Sequence, residues 1–426
     1  MLGKATRSNS NCRIFDFTKQ SPSREFESLV PPMANNNKSP LTRREILKSS
    51  VITGVTLFGF HDRRVNVLFQ NSEDNLQSGR SLGVIDFVGE APIPMDTVMD
   101  AGLDGRLYTD LSGVGPDKPT IPNERFYVRT RASTLLDDHK PWLIHVTGLV
   151  KRPSRISLAD VNKMSRPAGP HLLECSGNVR DAHFGMLSVA EWEGAPASDI
   201  LDSAQIEKDA SHVLISGFDR YPDPSSTSTP GASWIFPIDE LKSFKAFFAT
   251  TMNGAPLPKD HGAPVRLVVP GWYGCTCIKW VDEIQLLRDD APTTSQMQEF
   301  ASRTMQQGVP ERVSDYRSPL IEQAAMPVRI EKWLVDGKIK YRIHGIAWGG
   351  NRTVSGLEIR FNPGEDYVPV DDFKQTKNDP WGFWTHLWKP AKPGIYSIRL
   401  RLKDTSVRSR RLDAGYYTRS VDITEI

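Results

Sequence analysis

The sequence predicts an α+β protein: a mixed strand-and-helix region over residues 121–295, then a β-sandwich over residues 320–426. Three observations carry that prediction. The chain has 426 residues, more than one ordinary core holds, so two folded parts are expected. Between residues 121 and 295, β-branched runs alternate irregularly with short helical patterns, without the rhythm of strand-helix-strand units. From about residue 326 the pattern turns to short alternating runs between turn residues, which suggests a sandwich.

Composition is that of a globular protein, with 38% hydrophobic and 24% charged residues. The formal net charge of +2 gives no reason to expect nucleic acid as a partner. Four cysteines (Cys12, Cys175, Cys275 and Cys277) are too few for a disulfide framework at this length.

The N-terminus reads as an address. "TRREILK" (residues 42–48) precedes the uncharged run "SSVITGVTLFGF" (49–60), the layout of a twin-arginine export signal within an N-terminal extension spanning 1–60. The run is shorter than the roughly 20 apolar residues a bilayer requires. The expected location is the periplasm, or elsewhere outside the cytoplasm by the twin-arginine route. No small-residue cleavage site follows, so cleavage and retention as an anchor both stay open. Met33 is expected to be the start codon.

Residues 61–120 are rich in Gly, Pro and Asp, as in "GEAPIPMDTV" and "LSGVGPDKPTIP", and read as an extended arm, of which 85–120 packs on the first folded part. "RFYVRTRAS" (125–133) and "WLIHVTGLV" (142–150) read as strands. "SLADVNKM" places Ser157 three residues before Asp160, a capping-box helix start. "SHVLISGFD" and "APVRLVVPG" read as buried strands, and "PIDELKSFKAFFAT" as a helical pattern. No Gly-rich dinucleotide or P-loop motif occurs, which argues against those nucleotide sites. Residues 290–325 read as the boundary. Beyond it, "VRIEKWLVDGKIKYRIHGIAW" forms two alternating runs about Asp336-Gly337, a hairpin signal.

One stretch carries the chemistry. "HLLECSGNVRDAHFG" (171–185) runs an apolar segment into a Ser-Gly-Asn turn, with Cys175 at its mouth and Arg180 close behind. Turn amides and a nearby cation favour a thiolate. Four readings compete on these residues alone. Cys175 is a buried inert thiol, a nucleophile partnered by His171 or His183, part of a zinc site, or the single thiolate on a metal held mostly by a cofactor.

Further motifs favour the last reading. "LLECSGNVR" resembles the molybdenum-binding segment of the sulfite oxidase family of molybdopterin-dependent oxidoreductases. "RFYVRT" resembles the family's arginine-bearing cofactor strand, and "GFD" with "PGASW" its pterin-contact region. "DHGAPVRLVVPGWYGCTCIKWVDEI" is very similar to its long pterin-binding stretch, and "HGIAWGG" onward resembles its C-terminal dimerisation domain. The motifs stand in the family's order, and the resemblance covers roughly residues 85–426.

The resemblance implies a molybdopterin-binding catalytic domain over 121–295 and an immunoglobulin-like β-sandwich dimerisation domain over 320–426. Cys175 would be the only direct protein ligand to molybdenum. Phe126, Tyr127, Val128, Arg129 and Thr130 would line the cofactor. Asp219, His261, Arg266, Cys277, Ile278 and Lys279 would hold the pterin and its phosphate. Arg129 and Arg180 would face a substrate oxyanion. On the residues alone, His261 also fits a turn cap, Arg266 a surface strand position and Asp219 an Asx-turn. Cys275 is expected to be a packed thiol, with a Cys275–Cys277 disulfide as an outside alternative.

Two departures bear on the substrate. The family's sulfite-oxidising members carry a tyrosine near the metal where alignment from Trp280 puts Phe300, and the first arginine after their Gly-Asn pair is Val179 here. Tyr273 offers a substitute hydroxyl or is simply packed. The chain has no haem-binding segment, so a separate electron carrier such as a c-type cytochrome is expected, along with a homodimer. The expected function is oxidation of sulfite to sulfate with an external electron acceptor. The alternatives are reduction of an S-oxide or N-oxide, or a non-catalytic exported binding protein.

Overall fold

The computed structural model describes residues 76, 79–131, 135–136, 140–219, 232–350 and 352–426. The signal-like segment and Met33 lie outside these residues. Among the described residues no helix is long and apolar enough to cross a membrane.

Four five-stranded sheets organise the described chain, two in its first part and two in its second. The first runs in the order Ser154–Ser157, Leu143–Gly148, Val281–Leu287, His212–Gly217, Ser233–Pro237. It is mixed, because Val281–Leu287 is parallel to Leu143–Gly148 and antiparallel to His212–Gly217. The second runs Ala255–Pro256, Phe247–Met252, Leu187–Pro196, Arg166–Glu174, with Arg266–Val268 also paired to Phe247–Met252. The third joins Arg80–Ile85, Ala324–Val335, Lys338–Trp348, Trp381–Trp388 and Asp372–Lys374. The fourth joins Val368–Pro369, Leu357–Arg360, Gly394–Leu402, Arg419–Ile423 and Phe87–Val88.

Local chemistry sets these elements. Helix Leu158–Met164 opens on the full capping box, Ser157 accepting from the Asp160 amide and the Asp160 carboxylate from the Ser157 amide. Asp336 and Gly337 both have positive φ, 52° and 72°, as a two-residue type I′ hairpin requires, and Val335 pairs with Lys338 across them.

Four expectations need correction. "RFYVRT" is not a strand: a 3₁₀ turn, Asn123–Arg125, leads to a single bridge between Val128 and Leu107. Phe126, Tyr127 and Val128 are all buried, so the two-residue alternation of a sheet edge is absent. "PIDELKSFKAFFAT" is helical only over Ile238–Ser243. Lys245 takes positive φ, and Phe247–Met252 continues as a strand. The arm does not only lie on the first part. Its residues Arg80–Ile85 and Phe87–Val88 supply edge strands to both C-terminal sheets. The boundary segment holds helix Ser295–Phe300, which faces the site described next.

Two cores result. One packs sheet one around Ile144, Ile215, Trp234 and Phe236 against the short helices. The other is continuous from Phe126, Leu173 and Leu187 to Ile343, Trp348 and Ile398, so the two halves share buried apolar contact.

Candidate active site

A cavity enclosing about 790 Å³ of empty space, counted out to its mouth, opens between the ends of the first two sheets. Ten of the residues singled out in the sequence line it: Phe126, Tyr127, Arg129, Thr130 and Cys175 on one side, His261, Arg266, Cys277, Ile278 and Lys279 on the other. Asp219 joins them from the turn after strand His212–Gly217. Residues 220–231, which include the start of "PGASW", are outside the described residues.

Cys175 closes strand Arg166–Glu174 and is 5% exposed. The turn that follows is tight, with the Asn178 amide donating to the Cys175 carbonyl at 2.9 Å and the Gly177 amide reaching the sulfur at 3.4 Å. Burial pushes the Cys175 thiol up. The Arg129 guanidinium, the Gly177 amide and the Arg303 guanidinium pull it back toward the thiolate. His171 bonds the Ala168 carbonyl, and His183 bonds Glu90 and the Ala91 carbonyl, so neither supplies a base to this sulfur. Cys175, Cys275 and Cys277 are free thiols. Among the described residues no cluster of three His, Cys, Asp or Glu could hold a metal.

The opposite wall is cationic and dry. Arg266, 6% exposed, donates to the carbonyls of His261 at 2.9 Å and Cys277 at 3.1 Å, with its guanidinium carbon 5.6 Å from the Trp192 ring centre. Its Nε finds no hydrogen-bond partner among the described residues. Lys279 donates to the carbonyls of Thr130 and Asp260 and stands 4.3 Å from the Trp280 ring centre. Burial, reinforced by the Arg266 charge, pushes Lys279 down to about 7. Gly262, with φ 111°, lets these side chains sit together: a Cβ there would stand 2.9 Å from Arg266 and 3.0 Å from Lys279. His261 Nε2–H donates to the Asn123 carbonyl at 2.7 Å, and burial holds its imidazole neutral, pushing its pKa down to about 4. Arg266 is a buried cation with a spare donor and only carbonyls as bonded partners, a cost of several kcal/mol that an anion such as a phosphate on an organic cofactor would offset. The residues present fit molybdopterin on this observation.

Several placements differ from expectation. Val128 is buried but faces away from the cavity, because its backbone is bridged to Leu107. Arg180 does not line the cavity. It is exposed in the turn Arg180–Ala182, one residue past exposed Val179, and its charge is felt by Arg419 instead. Cys277 receives the Arg266 donor through its carbonyl, and Cys275 lines the cavity as a thiol. Tyr273 is a packed aromatic, 1% exposed, under the Arg411 guanidinium.

Phe300, which the alignment set near the metal, lines the cavity from the boundary helix. The sequence reading missed other contributors. Gln296 also lines the cavity, and its amide bridges the Cys275 carbonyl at 2.8 Å and the Ser233 amide at 2.7 Å. Arg303 lies across Gly177 from the sulfur. The C-terminal sheets grip the cysteine turn itself. Glu174, fully buried, accepts from Trp348 Nε1 at 2.8 Å and the Tyr417 hydroxyl at 3.1 Å. Arg411 donates to the Ser176 carbonyl at 2.7 Å, and Tyr416 to the Asn178 carbonyl at 2.6 Å. Only the Trp in "HGIAWGG" carried any signal, through its place in a recognised motif.

A family of molybdopterin-binding oxidoreductase domains matches residues 132–295. Human mitochondrial sulfite oxidase is 27% identical over 323 residues, covering 69% of this chain and 56% of that protein. Chicken (Gallus gallus) sulfite oxidase is 26% identical over 296 residues, covering 64% and 63%. The NADPH nitrate reductase of Fusarium oxysporum is 26% identical over 276 residues, covering 56% and 29%. This chain thus spans little more than half of the sulfite oxidases, and under a third of the nitrate reductase. In structure, the sulfane dehydrogenase SoxCD of Paracoccus pantotrophus superposes with a TM-score of 0.59 at 16% identity, covering 87% of this chain and 96% of that one, a likeness of fold. The site and these relatives define a molybdopterin-dependent oxidoreductase. More particularly, the chain carries that oxidoreductase domain over residues 132–295 and is similar over about two thirds of its length to sulfite oxidases. The reading as a non-catalytic binding protein is set aside.

Proposed function

We propose that this enzyme is exported by the twin-arginine route and oxidises sulfite to sulfate, passing electrons to a separate carrier such as a c-type cytochrome. The observation that carries this reading is a cavity in which the Cys175 thiol stands close to the Arg129 guanidinium, with Arg266 and Lys279 also in its lining. When bound, molybdopterin supplies two-electron oxygen-atom transfer at its metal. The chain's own residues do the rest. Cys175 ligates the metal as thiolate, a soft donor that its neighbouring guanidinium groups stabilise. Arg266 and Lys279 neutralise the cofactor's phosphate, Asp219 balances Lys279, and neutral His261 keeps its bond to the Asn123 carbonyl. Phe126, Tyr127 and Ile278 wall the cavity against water. Arg129 aims its fork at the oxyanion and stabilises charge as it moves. The C-terminal sheet pair serves as the immunoglobulin-like dimerisation domain.

A second reading rests on Phe300. Its ring lines the cavity and cannot donate a hydrogen bond, which suits the reduction of an uncharged S-oxide or N-oxide. Steady-state turnover separates the two. Sulfite oxidation with cytochrome c as acceptor supports the proposal, and sulfoxide reduction by reduced viologen without sulfite turnover overturns it. In either direction Cys175→Ser is expected to retain pterin and abolish turnover, because a hydroxyl is a poor substitute for a soft thiolate. Wild-type rates in that variant contradict the assignment.

A further inference from the structure

We infer that Arg303 captures the substrate oxyanion at the mouth of the cavity, the task the sequence reading gave to Arg180. The inference rests on the oxyanion reading above and deepens it.

Three observations place Arg303. Gly177 separates it from the thiol: a Cβ at 177 would stand 3.8 Å from Cys175 Sγ and 3.7 Å from Arg303 Nη1. Both groups thus border the same residue, which has no side chain to fill the space beside them. The guanidinium carbon lies 5.2 Å from the centre of the Phe300 ring, which itself lines the cavity. The ring is a platform that orients a planar cation without consuming its donors. The backbone is also tied to the cysteine turn, because Arg411 Nη2 donates to both the Arg303 carbonyl at 3.2 Å and the Ser176 carbonyl at 2.7 Å.

Arg303 is exposed, and among the described residues no carboxylate pairs with it. Arg129 stands deeper, half-buried in the wall. Arg129 thus lines the cavity beside the thiol, and Arg303 stands just outside the lining, next to Gly177 and the Phe300 ring. Arg180 is exposed, does not line the cavity, and acts electrostatically on Arg419. The arrangement favours a small tetrahedral or pyramidal oxyanion with one or two negative charges. A neutral S-oxide gains little from the outer cation. The Phe300-Arg303 pair also returns to the mouth the hydrogen-bond donors that a phenyl ring lacks.

The test uses molybdenum-loaded enzyme and inorganic sulfate as the probe, with binding measured by calorimetry alongside sulfite kinetics. Arg303→Gln is expected to weaken sulfate binding by roughly tenfold or more, the worth of one charge-assisted hydrogen bond. It should raise the sulfite KM by a similar factor, leave kcat and molybdenum content near wild type, and flatten the dependence of kcat/KM on ionic strength. Arg303→Lys should recover part of the loss. If Arg303→Gln binds sulfate as the wild type does, or if Arg180→Gln shows the loss instead, the role of Arg303 is overturned while the oxyanion reading stands. If the wild type neither binds sulfate nor turns over sulfite, the oxyanion reading falls and this inference with it.

Discussion

His261 shows how a single side chain registers the dryness of the site. Its ring bonds the Asn123 carbonyl and lies edge-on to Phe126 at 5.5 Å. Burial depresses its protonation to about 4, against 6.5 for an exposed imidazole. The unfolded chain therefore takes up a proton below about pH 6.5 that the folded chain refuses until about pH 4. Stability is expected to fall as pH drops through that window, and His261→Gln should flatten the fall, as read from urea unfolding at a series of pH values. A slope identical to the wild type's would mean that the native imidazole is freely protonated. At this scale the sequence was informative wherever a motif fixed the residue, as at Cys175, Arg266 and Lys279. It misled at Arg180. A position two residues beyond the Gly-Asn pair does not reveal which way the chain leaves the turn, and here exposed Val179 and a 3₁₀ turn carry the arginine outward.

The turn after strand Arg166–Glu174 is held from the far half of the chain. Trp348 sits at the end of strand Lys338–Trp348, and Tyr417 lies just before strand Arg419–Ile423. Their donors converge on the Glu174 carboxyl, one residue from the ligand cysteine. Burial pushes that carboxyl up, and Arg411 with the Trp348 and Tyr417 bonds draws it down. Tyr417→Phe leaves a buried acceptor short of a donor and is expected to cost about 1–3 kcal/mol. Chemical denaturation measures it, and a change within error would show that Glu174 finds another partner. The C-terminal strands were legible because they alternate about clear turns, Asp336-Gly337 above all. Their grip on the active-site turn was not, since it depends on partners more than 170 residues apart. "RFYVRT" failed for a related reason: its aromatic and β-branched residues are buried on every side by tertiary packing, which imitates strand composition.

Across the molecule, the arm and the boundary segment proved more than connections. The arm edges both C-terminal sheets, and Glu90 within it forms a buried bidentate pair with Arg419 at 2.6 and 2.7 Å. The boundary helix walls the cavity with Gln296 and Phe300. Neither role follows from low periodicity or Gly and Pro content, because those features report the absence of a local pattern and nothing about where the chain lies. The cavity sets Arg129, Arg266 and Lys279 among aromatic and apolar walls, a lining that a bound anionic cofactor would stabilise. Cofactor-free enzyme is thus expected to melt below the loaded form, the gap growing with cofactor affinity, as differential scanning calorimetry would show. Equal melting temperatures would mean that the cofactor binds elsewhere.

The account turns on sulfur from residue 175 reaching molybdenum. X-ray absorption at the molybdenum edge, on wild type and Cys175→Ser purified from a host that makes molybdopterin, tests it most directly. The prediction is a sulfur shell that loses one scatterer in the variant while molybdenum and pterin content persist. An unchanged shell, or wild-type protein without molybdenum, would contradict it.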